Sequence, residues 1–131
     1  MKIAVLIARV LLGLIFVVFG ANYFHPFITM AQPPMSDTAK AFSGGLYNSG
    51  YFFQYMKVLE IVSGLFLLIN RYTALFILVL APIVLNIFLF HTILVPSGMP
   101  LGTVILLLEL FLIYAYRKYY ASIFTTTPVA G

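Results

Sequence analysis

Residues 55–70, YMKVLEIVSGLFLLIN, constrain this chain most, because they place two charges inside a strongly apolar segment. With Phe52 and Phe53 added, the segment is long enough to cross a bilayer, yet Lys57 and Glu60 lie in its first half. In hydrocarbon, a charged side chain costs about 2.5–3.5 kcal/mol on insertion scales. These two side chains therefore need partners or a polar cavity, and the rest of the chain must supply them.

The composition indicates an integral membrane protein. Of the 131 residues, 63% are hydrophobic and only 8% are charged, whereas a soluble domain carries about 25% charged residues. The net charge of +4 does not indicate a nucleic-acid partner, because the basic residues flank apolar spans instead of forming a patch. The absence of cysteine excludes disulfides and thiolate metal sites, and no ligand spacing predicts any other metal site.

Four apolar segments predict an all-α fold, a four-helix transmembrane bundle that forms one domain over residues 1–131. The predicted spans are about 3–24, 52–69, 72–95 and 101–119, with a C-terminal tail at 120–131. Each span is long enough at ~1.5 Å per residue to cross a hydrocarbon core of ~30 Å. Gly13 and Gly20 lie on one face of the first span and predict a close helix approach, and Pro82 is expected to kink the third.

The charges of the short connections predict the orientation of the bundle. One end carries four basic residues, Lys2, Arg71, Arg117 and Lys118. The other end carries only Lys40, offset by Asp37. Since cytoplasmic loops are enriched in Lys and Arg, both termini are expected in the cytoplasm and the protein in the cytoplasmic (inner, plasma) membrane.

The loop at residues 25–50 is the only long connection between spans. Pro33 and Pro34 break it, and Ser36 is a predicted N-cap for a short amphipathic helix at 37–47. The apolar stripe of this helix consists of Ala39, Phe42 and Leu46. We expect a helix that lies on the outer surface as a lid; an ordinary ordered loop is the alternative.

Charged residues inside the spans predict a paired network. Arg9, Glu60 and Glu109 come from three different spans, and Lys57 lies one turn above Glu60 on the same helix face. Both carboxylates lie about 12 Å below the outer ends of their spans at ~1.5 Å per residue. One interpretation is a charge network that fixes helix rotation and register. The other makes Glu60 a proton carrier or an anchor for a ligand.

Uncharged polar side chains at the outer ends of the spans predict a pocket above this network. The candidate ligand-binding residues are Glu60, Lys57, His25, His91, Asn86 and Asn22. Convergence of polar groups at one depth favours a pocket that opens outward between the helices. A metal or haem site on His25 and His91 is an alternative without a supporting motif, and hydrogen bonds of these histidines to amides or loop carbonyls are the simpler interpretation.

Four stretches carry a family resemblance: ARVLLGLIFVVFGANYFHPF (8–27), KVLEIVSGLFLLINRY (57–72), LAPIVLNIFLFHTIL (80–94) and LLELFLIYAYRKYYASIF (107–124). In these stretches the sequence resembles the DoxX family of small four-span membrane proteins. The resemblance implies a four-helix transmembrane bundle. Some members look like subunits of thiosulfate:quinone oxidoreductases, and others are linked to membrane oxidoreductase complexes that handle oxidative stress. More distant relatives look like chaperones and cargo receptors.

Two functional hypotheses follow. In the first, the protein is a subunit of, or accessory to, a membrane redox complex and binds a small lipophilic molecule, a quinone or a lipid, while redox partner proteins supply electrons. In the second, it is a membrane-protein assembly or chaperone-like factor whose charge network is purely structural. No nucleophile triad, phosphate loop or metal motif assigns catalytic residues. Contact with membrane lipid is expected in both cases, and a homo-oligomer stays an open alternative.

Overall fold

The computed structural model describes residues 1–29 and 34–131, and within them the regular structure is helical. The α-helices are α1 (Lys2–Phe24), α2 (Asp37–Asn48), α3 (Phe52–Ile69), α4 (Thr73–Leu89) and α5 (Met99–Ala115). A π-helical turn (Phe90–Leu94) extends α4, and 3-10 turns cover Pro96–Gly98, Arg117–Tyr119 and Ala121–Phe124. Four of the helical segments are long and apolar enough to cross a membrane. The predicted all-α transmembrane bundle is confirmed.

The helix boundaries follow local sequence signals. Ser36 caps α2, its hydroxyl accepting a hydrogen bond of 3.2 Å from the backbone N–H of Ala39. Pro82 lies inside α4, which continues as an α-helix to Leu89. The last helical segment that is long and apolar enough to cross a membrane is Pro96–Ala115. It begins where Pro96 opens a 3-10 turn ahead of α5, and it ends where the chain leaves the α-helical conformation at Tyr116. Pro33, expected to break the outer loop, lies outside the described residues.

The four long helices form a ring in which each packs against two others. α1 packs against α3 and α5, and α4 packs against the same two helices. The connection between α3 and α4 is short and contains two left-handed residues, Asn70 (φ 55°) and Tyr72 (φ 52°). The Thr73 hydroxyl donates a hydrogen bond of 2.7 Å to the Asn70 side chain and fixes this turn. Since successive long helices reverse direction, both chain termini lie at the end of the bundle opposite α2.

The closest packing in the bundle joins α1 and α3. A Cβ atom built on Gly13 would lie 2.9 Å from the carbonyl oxygen of Gly64, and one built on Gly64 would lie 2.7 Å from the carbonyl oxygen of Gly13. A Cβ on Gly20 would lie 2.6 Å from the Ile61 side chain. The predicted close approach at Gly13 and Gly20 therefore occurs, and its partner surface is α3.

Tyr120 anchors the end of α5 to the start of α4. Its side chain is buried, and its hydroxyl donates a hydrogen bond of 2.6 Å to the carbonyl oxygen of Ala74. Burial raises the pKa of the Tyr120 hydroxyl to about 12, so this group remains a donor at neutral pH. The sequence assigned residue 120 to the tail, but the structure makes it part of the packed bundle.

We expect Tyr120→Phe to lower the free energy of unfolding by about 0.5–1.5 kcal/mol, the usual net value of one hydrogen bond. Unfolding in detergent, followed by circular dichroism, measures this difference. Tyr119→Phe is the matched control, because the Tyr119 side chain is 57% exposed. Equal stability of the two variants would contradict an anchoring role for the Tyr120 hydroxyl.

Candidate functional site

A cavity of about 280 Å³ lies between α3 and α4, next to α2. Most of its wall is apolar, contributed by side chains such as Phe42 of α2 and Ile83 of α4. The polar residues that line it are Ser43, Lys57, Glu60, Asn86 and His91. An apolar cavity with a few polar groups is the usual form of a small-molecule site.

The charged part of the cavity wall is the pair Lys57 and Glu60 on α3. The Lys57 Nζ lies 3.3 Å from a carboxylate oxygen of Glu60, and the side chains are 24% and 6% exposed. Their spacing of three residues puts both on one face of the helix, one turn apart. Each ion therefore offsets the cost of burying the other, while the more exposed Lys57 keeps donors free for a further partner.

His91 forms the opposite wall of the cavity, within the π-helical turn. Its Nδ1 lies 2.8 Å from the carbonyl oxygen of Ile87. Because a carbonyl only accepts, Nδ1 carries the proton in this bond. A Cβ atom at Gly98 would overlap the His91 ring, so the glycine at this position makes room for the imidazole.

α2 covers one side of the cavity. Phe42 and Leu46, from its apolar stripe, line the wall together with Ser43. The Phe42 ring lies 5.8 Å from the Phe90 ring, measured between centroids, so α2 also contacts the end of α4. The sequence pointed to Phe42 and Leu46 through their helical spacing, but it gave no signal for Ser43.

Two predicted ligand-binding residues, Asn22 and His25, do not line this cavity. The Asn22 side-chain oxygen accepts hydrogen bonds of 2.9 Å from the backbone N–H groups of Phe27 and Ile28, so it stabilises the chain just after α1 ends. His25 is the exposed residue at the end of α1. The lining comes from α2, α3 and α4 with the π-helical turn, and α1 does not contribute to it.

The structure does not join Arg9, Glu60 and Glu109 into one network. Within residues 1–29 and 34–131, the only salt bridge is that between Lys57 and Glu60. The buried Arg9 guanidinium donates instead to the carbonyl oxygen of Leu67, and at 3.3 Å to that of Leu68. These carbonyls belong to the last turn of α3, where the helix carries a partial negative charge, and that of Leu67 also accepts a hydrogen bond of 3.3 Å from the backbone N–H of Asn70.

Glu109 is buried on α5 with 2% of its surface exposed. Neither of its carboxyl oxygens has a hydrogen-bond partner among the described residues, and the same holds for the buried hydroxyl of Ser63 on α3. An ionised carboxylate in such a position carries a large desolvation cost without compensation. The surroundings of residue 109 therefore accommodate an uncharged side chain much better than an ionised one.

A comparison with known families identifies one match that covers most of the chain. The DoxX family model matches residues 4–92. The matched region contains all the residues that line the cavity, from Phe42 to His91. No curated protein and no solved structure matches the chain.

Proposed function

This chain belongs to the DoxX family of membrane proteins, and we propose that it binds a small lipophilic molecule in the cavity between α3 and α4. The observation that carries the proposal is the Lys57–Glu60 pair in the wall of an apolar cavity. Charged residues within membrane spans are costly and mark ligand or ion sites by default. The volume of about 280 Å³ is just below the usual size of ligand pockets, roughly 300–1,000 Å³, so the cavity suits a compact head group.

The polar residues of the cavity supply both donors and acceptors to such a head group. Lys57 would donate and Glu60 would accept, and the imidazole of His91 lies in the opposite wall. Asn86, exposed on α4, offers both kinds of group. A quinone fits the donor of this site, because its ring packs against apolar walls and its carbonyl oxygens accept hydrogen bonds from the Lys57 ammonium group. The acceptor Glu60 suits the hydroxyl groups of the reduced form, the quinol. We therefore propose a quinone as the ligand.

We propose that the protein works as a subunit of, or accessory to, a membrane redox complex. Its own residues would hold and orient the ligand, and partner proteins would supply electrons. The basic residues near the chain termini support an orientation with both termini in the cytoplasm. The cavity would then lie in the outer half of the cytoplasmic membrane.

Replacing Glu60 with Gln tests the proposal. This change removes the charge that holds Lys57 in place, so we expect quinone retention to fall by about tenfold, the equivalent of 1.4 kcal/mol. Native mass spectrometry of the protein, released from membranes supplemented with a quinone, measures the bound fraction. Glu109→Gln is the matched control, because Glu109 is a buried carboxyl outside the cavity lining.

Equal retention by the wild type and Glu60→Gln would remove the binding proposal. In that case, a protein partner that co-purifies with the wild type, and that is lost on deletion of residues 37–48, would support the assembly-factor hypothesis instead.

A further inference from the structure

We propose that the ligand is a single-chain lipid with an uncharged head group, whose chain leaves the cavity through a groove between α3 and α4. This inference rests on the proposed function, because it takes the cavity as the site of the head group. The groove, called the tail groove below, is lined by Tyr55 and Leu59 of α3 and by Val79 and Pro82 of α4.

The tail groove adjoins the cavity. Its volume is about 500 Å³, and six residues line both spaces: Phe42, Leu46, Phe52, Met56, Ile83 and Asn86. From Asn86 to Val79 the groove follows α4 for about 10 Å at ~1.5 Å per residue, toward the end of the bundle that holds the termini. We infer that a molecule with its head group at Glu60 extends its chain into this adjoining groove.

The charge balance of the cavity favours an uncharged head group. The formal charges of Lys57 and Glu60 cancel within one ion pair. A phosphate or carboxylate head would add an unbalanced charge to this apolar site, where the cost of desolvating an ion is high. An uncharged head with hydrogen-bonding groups has no such cost, and the quinone proposed above belongs to this class.

The shape of the groove favours one chain and entry from the lipid. The tail groove is a single crease with α3 on one side and α4 on the other, so we infer that it holds one hydrocarbon chain. Phe42 and Leu46 of α2 line both spaces on the water-facing side. Tyr55 and Pro82, which are exposed, lie where the groove meets the lipid. We therefore infer that the ligand enters the groove laterally from the membrane.

Photolabelling of the full chain in phospholipid vesicles tests the inference. The probe is a monoacylglycerol with a diazirine midway along its chain, present in trace amounts, and labelled peptides are identified by mass spectrometry. We expect several-fold more label on α3 and α4 residues of the tail groove than on lipid-facing residues of α5. Val79→Trp and Leu59→Trp should each lower the labelling of the tail groove several-fold relative to the wild type. Leu107→Trp, at a side chain 60% exposed on α5, is the matched control.

A second probe tests whether the head group is uncharged. It is a lysophosphatidylglycerol that carries the same diazirine-labelled chain. We expect this anionic probe to label the groove several-fold less than the monoacylglycerol does. Equal labelling by the two probes would overturn the uncharged head group. An even distribution of label over all lipid-facing helices would overturn the tail groove.

Failure of this inference is distinguishable from failure of the proposed function. If quinone retention depends on Glu60 while the label is evenly distributed, the binding function stands and the tail groove is removed. If labelling of the groove depends on Val79 while quinone retention is independent of Glu60, the tail groove is supported as a hydrocarbon site and the head-group site at Glu60 is refuted.

Discussion

Replacing Gly64 with alanine is expected to lower the free energy of unfolding by about 1–3 kcal/mol, the usual cost of overpacking a tight interface. The added methyl group would lie 2.7 Å from the carbonyl oxygen of Gly13 and 2.8 Å from Cγ2 of Val17. One of these obstacles is backbone, which no side-chain rotation relieves, so α1 and α3 must move apart. Unfolding in mild detergent by added sodium dodecyl sulfate, followed by circular dichroism, measures the change.

Gly44→Ala is the control for this experiment. Gly44 is also helical, in α2, and a Cβ atom there meets nothing within 4 Å. Because alanine is the better helix former by about 0.5–1 kcal/mol, this variant should be as stable as the wild type or slightly more stable. If Gly64→Ala and Gly44→Ala behaved alike, the backbone contact between α1 and α3 would be refuted.

The glycine contact illustrates how much of the fold the sequence predicts. The spans follow from apolar length alone, since a membrane leaves few alternatives to a helix of that length. The spacing of Gly13 and Gly20 indicates a face for close packing. That Gly64 is the residue they pack against depends on which helices become neighbours, and the local sequence does not predict this. Tyr120 was assigned to the tail for the same reason, because its acceptor is a backbone carbonyl 46 positions away in the chain.

The candidate site shows the same division between local and long-range information. The proximity of Lys57 and Glu60 was predictable because spacing along one helix fixes it. Arg9 was assigned carboxylate partners, yet it binds carbonyl groups of α3. Every residue has a carbonyl, so the sequence cannot distinguish the ones at a helix end that a side chain from another helix reaches. Asn22 was assigned to the pocket and instead binds N–H groups of its own loop for a related reason.

Glu109→Lys is expected to have the other large effect, a loss of about 2.5–3.5 kcal/mol or more, as for a cation placed within a membrane span. Residue 109 is 2% exposed, and its carboxyl group has no partner among the described residues. A lysine there either carries an unpaired ammonium group or gives up its proton, and both states cost free energy, because no salt bridge among the described residues involves α5. The midpoint of unfolding in detergent, and the amount of folded protein recovered from membranes, both report this loss.

Glu109→Met separates the effect of charge from the effect of shape. Methionine has a similar length and no polar group to desolvate, so we expect this variant to equal or exceed the wild type in stability. A loss of more than about 1 kcal/mol would mean that the carboxyl group makes a hydrogen bond that stabilises the bundle. If stability is retained, the carboxyl group is not required for folding, and the desolvation cost of residue 109 is not offset by any contact that stabilises the bundle.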